Sequence, residues 1–173
     1  RDQLGELLRQ QVVAHRRVRT LVLVAAHRQQ HDRVLGVELA PLAAGDRAGA
    51  AQRLFDPEYP DAHLNLGLTL ADQGKPEEAV KELETAIRLD PKDPFPRHEL
   101  AALLMDEGDY RTAITQLKEV VRLEPDNFEA HLDLGISYAQ KGFYAEAERA
   151  YGKARALKAD DVLLHYNSAA LYA

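Results

Sequence analysis

Residues 60–161 consist of three consecutive 34-residue segments: PDAHLNLGLTLADQGKPEEAVKELETAIRLDPKD (60–93), PFPRHELAALLMDEGDYRTAITQLKEVVRLEPDN (94–127) and FEAHLDLGISYAQKGFYAEAERAYGKARALKADD (128–161). They align without an insertion, and residues of the same kind recur in matching columns. These columns are Leu66, Leu100 and Leu134; Gly67, Ala101 and Gly135; Gly74, Gly108 and Gly142; Ala79, Ala113 and Ala147; and Leu89, Leu123 and Leu157. Residues 162–173 begin a fourth copy. Such a fixed period is typical of repeat proteins.

Each segment predicts two helices. Gly74 interrupts the apolar pattern, and Pro76 follows in the first turn of a second helix, where a missing N–H has no helical partner to lose. Asp109 is placed to cap the matching helix of the next copy. Because the residues at 67, 79, 101 and 113 are small, the two helices of a pair are expected to approach closely. The space between them is expected to be filled by Leu66, Leu70 and Leu83.

This pattern resembles the tetratricopeptide repeat, a 34-residue helix–turn–helix unit with small and large residues in these columns. The resemblance covers residues 60–161 fully and 162–173 in part. It implies an all-α fold, a right-handed superhelical solenoid of stacked helix–turn–helix units. Two departures stand out. The closing proline becomes Ala159 in the third copy, and the frequent tryptophan near the start of the first helix is replaced by His63, Arg97, His131 and His165.

The resemblance also implies a function, the binding of a partner peptide or helix in a concave groove lined mainly by the first helices. We call the residues expected to line it the predicted groove: Leu64, Leu68, His98, Ala102, Met105, Leu132, Ile136 and Tyr166. Asp72, Asp106 and Gln140 are expected near its edge. This mostly apolar lining indicates an apolar or amphipathic partner segment.

Chaperone-binding members of this family hold a C-terminal carboxylate with Lys, Arg and Asn in the groove. Leu68, Ala102 and Ile136 stand at those places here, so no carboxylate clamp is expected. An alternative remains that the apolar residues only pack against neighbouring helices, or that partners use the convex face.

Composition narrows the classes of partner. The formal net charge is -6, which disfavours nucleic acid because phosphate binding needs a concentrated Lys/Arg surface. No apolar run approaches the roughly 20 residues of a membrane-spanning helix. The chain has no cysteine, which removes disulfides and thiolate chemistry. The expected partner is therefore another protein, with no nucleic acid and no membrane span. The expected location is cytoplasmic, with the periplasm left open.

No catalytic or metal-binding motif is complete. His98 begins an HExxH pattern, but Ala102 stands where the second histidine is required. Residues 135–139 lack the second glycine of a nucleophile elbow. His131 and His165 lie one repeat apart, and stacked helices about 8–10 Å apart are too distant for both to bind one zinc ion. The sequence therefore predicts a protein that is not an enzyme and binds no metal or cofactor.

Composition also changes near residue 55, because all seven Tyr and all seven Lys follow Asp56. We predict a poorly specified N-terminal segment at 1–55, which is either a diverged helical cap or a fragment or misread frame. The repeat domain is predicted at 56–173, with repeats 60–93, 94–127 and 128–161 and a partial fourth at 162–173. The chain stops within a first helix, which predicts self-association through this end or missing downstream residues. The alternative function is a regulatory or targeting module of a larger enzyme or assembly.

Overall fold

The computed structural model describes residues 59–171, which contain seven α-helices and no strand. In chain order they are α1 Pro60–Asp72, α2 Pro76–Leu89, α3 Phe95–Asp106, α4 Tyr110–Leu123, α5 Phe128–Gln140, α6 Tyr144–Leu157 and α7 Val162–Ala170. Each packs against the next along the chain, and the first helices of successive repeats also touch, α1 with α3 and α3 with α5. The predicted all-α repeat solenoid is confirmed. The prediction of a cap or fragment at 1–55 lies outside the described residues.

A glycine turn joins the two helices of each repeat. Gly74 follows α1 with φ 73°, a left-handed conformation that glycine adopts without a steric penalty. The backbone N–H of Lys75 then donates to the carbonyl oxygen of Leu70 at 2.9 Å, which satisfies one of the last carbonyls of α1. Gly108 and Gly142 repeat this conformation. The glycine column is thus explained by the turn that it forms.

Side-chain caps begin three of the helices. The carboxylate of Asp109 accepts a hydrogen bond from the backbone N–H of Thr112 at 3.2 Å, as predicted. Asn127 and Asp161 cap α5 and α7 in the same way. These bonds satisfy N–H groups that have no partner within a helix.

Three apolar clusters hold the stack together, and each joins one helix pair to the first helix of the next pair. The buried members of the first are Leu64, Leu83, Ala86 and Leu100. Those of the second are Ala101, Met105, Ala113, Leu117, Val120, Ala130, Leu134 and Ala150. Those of the third are Leu132, Ala147, Tyr151, Ala154 and Leu164. The core is therefore continuous along the repeats.

One packing prediction was wrong. Leu66 is 46% exposed, whereas Leu100, at the same position of the next repeat, is 2% exposed. Leu100 clusters with Leu83 and Ala86 of the preceding second helix. The structure describes no helix before α1 that could cover Leu66 in the same way. This column therefore contacts the preceding repeat rather than its own.

Candidate functional site

The predicted groove divides into a buried part and an accessible part. Leu64, Met105 and Leu132 are buried in the three apolar clusters, and His98 is also buried. The other four are partly or fully exposed, and we call them the accessible groove residues: Leu68, Ala102, Ile136 and Tyr166. Any partner of this surface would meet those four side chains first.

Three of the accessible groove residues form a row. Leu68, Ala102 and Ile136 occupy the same position in α1, α3 and α5, and these first helices touch in succession. Leu68 and Ile136 also pack along one side against the apolar clusters. Tyr166 on α7 is 55% exposed. Leu68 and Ile136 are therefore held in place by packing, while part of each side chain in the row stays accessible.

The expected edge residues lie at the ends of the first helices. Asp72, Asp106 and Gln140 are the last residues of α1, α3 and α5, and all three are exposed. Each follows an accessible groove residue by four positions, which is one helical turn along the same face.

A buried polar pair crosses the boundary between the second and third repeats. Nε2 of His98 lies 3.0 Å from Oδ2 of Asp133, and the two residues are 7% and 5% exposed. Sequence reasoning named His98 for the groove but missed Asp133. Asp133 follows His98 by 35 positions, which is one 34-residue repeat plus one residue, and this offset is the sequence signal that could have identified the pair. The matching offsets join Leu64 to Glu99 and Leu132 to Asn167, so of the three repeat boundaries within residues 59–171 only the middle one carries a histidine–carboxylate pair.

The same carboxylate affects the interior of the third repeat. Burial is the main cause that raises the pKa of the Tyr151 hydroxyl, and the negative charge of Asp133 raises it further. The phenol therefore stays neutral at any pH at which the protein would work.

Polar links replace the family's tryptophan in two repeats. Nδ1 of His63 lies 2.6 Å from Oε2 of Glu82, and Nη1 of Arg97 donates to Oε1 of Gln116 at 3.3 Å. Both links span 19 positions and join the first helix of a repeat to its own second helix. These residues therefore serve cohesion within a repeat.

Family models match two parts of the repeat region. A model described as tetratricopeptide repeat matches residues 60–93, and one described as TPR repeat matches residues 101–142. The chain is a tetratricopeptide-repeat protein. A search of curated protein sequences found no match to it.

Solved structures resemble this tetratricopeptide-repeat protein. MamA is 23% identical with a TM-score of 0.65, over 82% of this chain and 81% of its own. The first TPR of Spaghetti (RPAP3), bound to HSP90 peptide SRMEEVD, is 17% identical with a TM-score of 0.64, over 68% of this chain and 93% of its own. YrrB, described as a TPR protein with an unusual peptide-binding site, is 26% identical with a TM-score of 0.58, over 62% of this chain and 55% of its own. At identities below 25%, the first two show the fold alone.

Other types of site receive no support from residues 59–171. No group of three or more His, Asp or Glu in this part of the tetratricopeptide-repeat protein could hold a metal ion. Instead, Nε2 of His131 lies 2.8 Å from the backbone oxygen of Pro125. Within the same range, every helix is too short or too polar to cross a membrane.

A cleft lies between the last two described helices. Its volume is about 290 Å³. The lining comes from α6, from α7 and from the residue that follows α7: Glu148, Tyr151, Arg155, His165, Ser168, Ala169 and Leu171. Both polar and apolar side chains line this cleft.

Proposed function

We propose that this tetratricopeptide-repeat protein is a non-catalytic scaffold that binds a partner peptide or helix through the predicted groove. The observation that carries the proposal is the row of Leu68, Ala102 and Ile136, which leaves apolar surface accessible across three successive first helices. Two structural neighbours support the class of function, since one is described with a bound peptide and another with a peptide-binding site. A protein-interaction module is the function consistent with this fold.

The accessible groove residues favour an apolar or amphipathic partner segment. Burying apolar surface contributes about 25 cal/mol per Å², so a few side chains seated on this row would supply a substantial part of the affinity. The row has no Lys, Arg or Asn that could hold a terminal carboxylate. We therefore expect no binding of a C-terminal acidic peptide such as the one bound to the RPAP3 neighbour.

The test is a quantitative pull-down with the full chain from an extract of its source cells. The variant Leu68→Glu/Tyr166→Glu places two negative charges on the accessible groove residues, and the control Leu157→Glu places one at an exposed leucine on α6. Circular dichroism and urea unfolding first establish that both variants remain folded. We expect partners to be lost from the groove variant and retained by Leu157→Glu. Identical partners for all three proteins would contradict groove binding.

We also infer self-association through the C-terminal helices, in addition to groove binding. Val162 and Tyr166 of α7 are exposed, and the cleft between α6 and α7 could accept a helix from a second copy. Light scattering over a concentration series tests this inference, and a monodisperse monomer at the highest concentration would contradict it. The alternative of a module within a larger enzyme or assembly uses the same groove and makes the same prediction for the pull-down.

A further inference from the structure

Helix α7 has one side that is exposed along its whole length. Val162 is 80% exposed, Tyr166 is 55% exposed, and Ala169 is exposed as well. Side chains three or four positions apart lie on the same face of a helix, so these three residues form one strip along α7. We call this strip the outer α7 face: Val162, Tyr166 and Ala169.

Other helices cover the matching positions one repeat earlier. Leu132, one repeat before the tyrosine of the outer α7 face, is 2% exposed and clusters with Leu164 of the next first helix. Gly135, one repeat before the alanine of that face, is buried, and the Tyr151 ring of its own second helix lies over it. The outer α7 face therefore exposes two positions that neighbouring helices cover elsewhere in this chain.

The small residue of a first helix meets a large side chain on an antiparallel helix. A Cβ atom on Gly67 would lie 2.9 Å from Cγ of Leu83, and one on Gly135 would overlap the ring of Tyr151. The two helices of each pair run antiparallel because a short turn joins them. A helix that covers the outer α7 face in the same way would run antiparallel to α7 and place a large side chain on Ala169.

The α7 helix of a second copy meets this requirement. In a two-fold contact, each residue of one copy that touches a given residue of the other is matched by the reverse pair. If two α7 helices lie antiparallel with the axis midway between positions 166 and 169, Tyr166 of each copy lies on Ala169 of the other. Both ends of this contact then combine one large and one small side chain.

The composition of α7 also favours contact with a copy of itself. Its sequence, VLLHYNSAA, contains no Asp, Glu, Lys or Arg, and α7 is the one helix within residues 59–171 that lacks them all. The solvent-facing side of a helix normally carries charged residues, whereas homodimer interfaces are more apolar than the rest of the surface. A two-fold axis brings identical side chains together, and here it brings no like charges of α7 together.

We propose that two copies of the chain associate through an antiparallel α7–α7 contact in which Tyr166 of each lies on Ala169 of the other. This inference rests on the proposed self-association and adds the residues and the symmetry of the contact. Because α7 has nine residues and a length of about 14 Å, the contact is smaller than the roughly 1,600 Å² interface of stable complexes. We therefore expect a reversible dimer, and no larger species because a two-fold contact closes on itself.

The experiment measures the dissociation constant of the dimer by sedimentation equilibrium of the full chain, after circular dichroism has shown that each variant is folded. Tyr166→Ala leaves a gap over Ala169, and Ala169→Tyr brings two large side chains together. Each should weaken association about tenfold or more, because the change enters both halves of the contact. Tyr166→Ala/Ala169→Tyr restores one large and one small residue at each contact, so it should return to within about threefold of the parent.

A double variant as weak as the weaker single variant would overturn the inference, because the two positions would then not face each other. Leu66→Ala truncates an exposed leucine on α1, and Leu68→Glu changes only the predicted groove. Both should leave the dissociation constant unchanged. If the parent associates and Leu66→Ala weakens it more than Tyr166→Ala does, the self-association stands and the α7–α7 contact is overturned.

Two further outcomes concern the size of the species. Species larger than a dimer would overturn the two-fold contact, since they require a second interface on each copy. A parent that stays monomeric up to about 1 mM would contradict the proposed self-association itself, and this inference with it.

Discussion

The ring of Tyr151 on α6 occupies the space into which a side chain at residue 135 of α5 would project. A Cβ atom placed on Gly135 would overlap the ring and lie 2.9 Å from its Cζ. In the second repeat, Leu117 stands at the position of Tyr151 and lies in the same buried cluster as Ala101. Between the second and third repeats, the smaller residue on the first helix thus accompanies the larger side chain on the second helix.

This match predicts that Gly135→Ala destabilises the protein. Overpacking of a filled interior costs about 1–3 kcal/mol. Urea unfolding of the variant should show that loss. Gly152→Ala is the matched control, because Gly152 lies in helix α6 with no atom near its missing Cβ. That substitution should stabilise by about 0.5–1 kcal/mol through the lower flexibility of alanine in the unfolded chain.

A double-mutant cycle tests the cause of the loss. In the Tyr151→Leu background, Gly135→Ala turns the pair at 135 and 151 into the alanine–leucine pair that the second repeat has at 101 and 117. Gly135→Ala should then cost less than it does beside the tyrosine, by about 0.5–3 kcal/mol. Equal costs in both backgrounds would show that Tyr151 is not responsible.

The leucine column should respond unequally to truncation. Leu100→Ala removes a buried side chain and should reduce the free energy of unfolding by about 2–5 kcal/mol. Leu66→Ala removes an exposed one and should change it by about 0.5 kcal/mol or less. Thermal and urea unfolding of both variants measure the difference. Similar losses at the two positions would mean that Leu66 is covered in solution.

The His98–Asp133 pair should stabilise the boundary between the second and third repeats. Asp133→Ala leaves the His98 ring buried without this acceptor, which should cost about 1–3 kcal/mol. Asp126→Ala, at an exposed aspartate in the turn before α5, should stay within about 0.5 kcal/mol of the parent. If the two variants unfold at the same urea concentration, the pair contributes nothing to stability.

The cap at Asp109 should make stability depend on pH in a defined direction. The hydrogen bond from the Thr112 hydroxyl is the main cause that lowers the pKa of Asp109, and the bond from the Thr112 backbone N–H lowers it further. A carboxyl whose folded pKa lies below its unfolded value of about 3.9 stabilises fully above that value, and its contribution disappears as the pH falls through the folded pKa. At neutral pH Asp109→Ala should cost about 0.5–2 kcal/mol.

The measurement is urea unfolding at about pH 7 and about pH 3, on either side of the unfolded pKa. The cost of Asp109→Ala should be smaller at the lower pH. Asp109→Asn keeps the capping oxygen without a titrating group, so it should lose little stability at neutral pH. If Asp109→Ala costs the same free energy of unfolding at both pH values, the charge of the Asp109 carboxylate is not what makes the cap stabilising.

The sequence was sufficient for those features that depend on local spacing. The glycine turns, the proline at the start of α2 and the cap at Asp109 all follow from residues within one repeat. The expected close approach of paired helices is also seen, since a Cβ on Gly67 would lie 3.3 Å from the backbone oxygen of Ala79. Each of these needs only one helix pair to be specified.

Features that depend on contacts between repeats were harder to predict. The exposure of Leu66 depends on what precedes α1, and the partner of His98 depends on how α3 is aligned against α5. Aligning the repeats by sequence cannot predict such differences, because the alignment assumes that every repeat has the same neighbours. Half of the predicted groove proved to be buried for the same reason, since stacking covers the side chains nearest the next repeat.

The most direct test of the account is photo-crosslinking in cell extract from chosen positions of the full chain. A photo-reactive amino acid replaces Ala102 or Tyr166 of the predicted groove or, as a control, Glu84 on α2. The account predicts that the two groove positions crosslink to the same partner protein and that position 84 does not. Crosslinks to a partner from position 84 alone would contradict it and assign binding to the second helices.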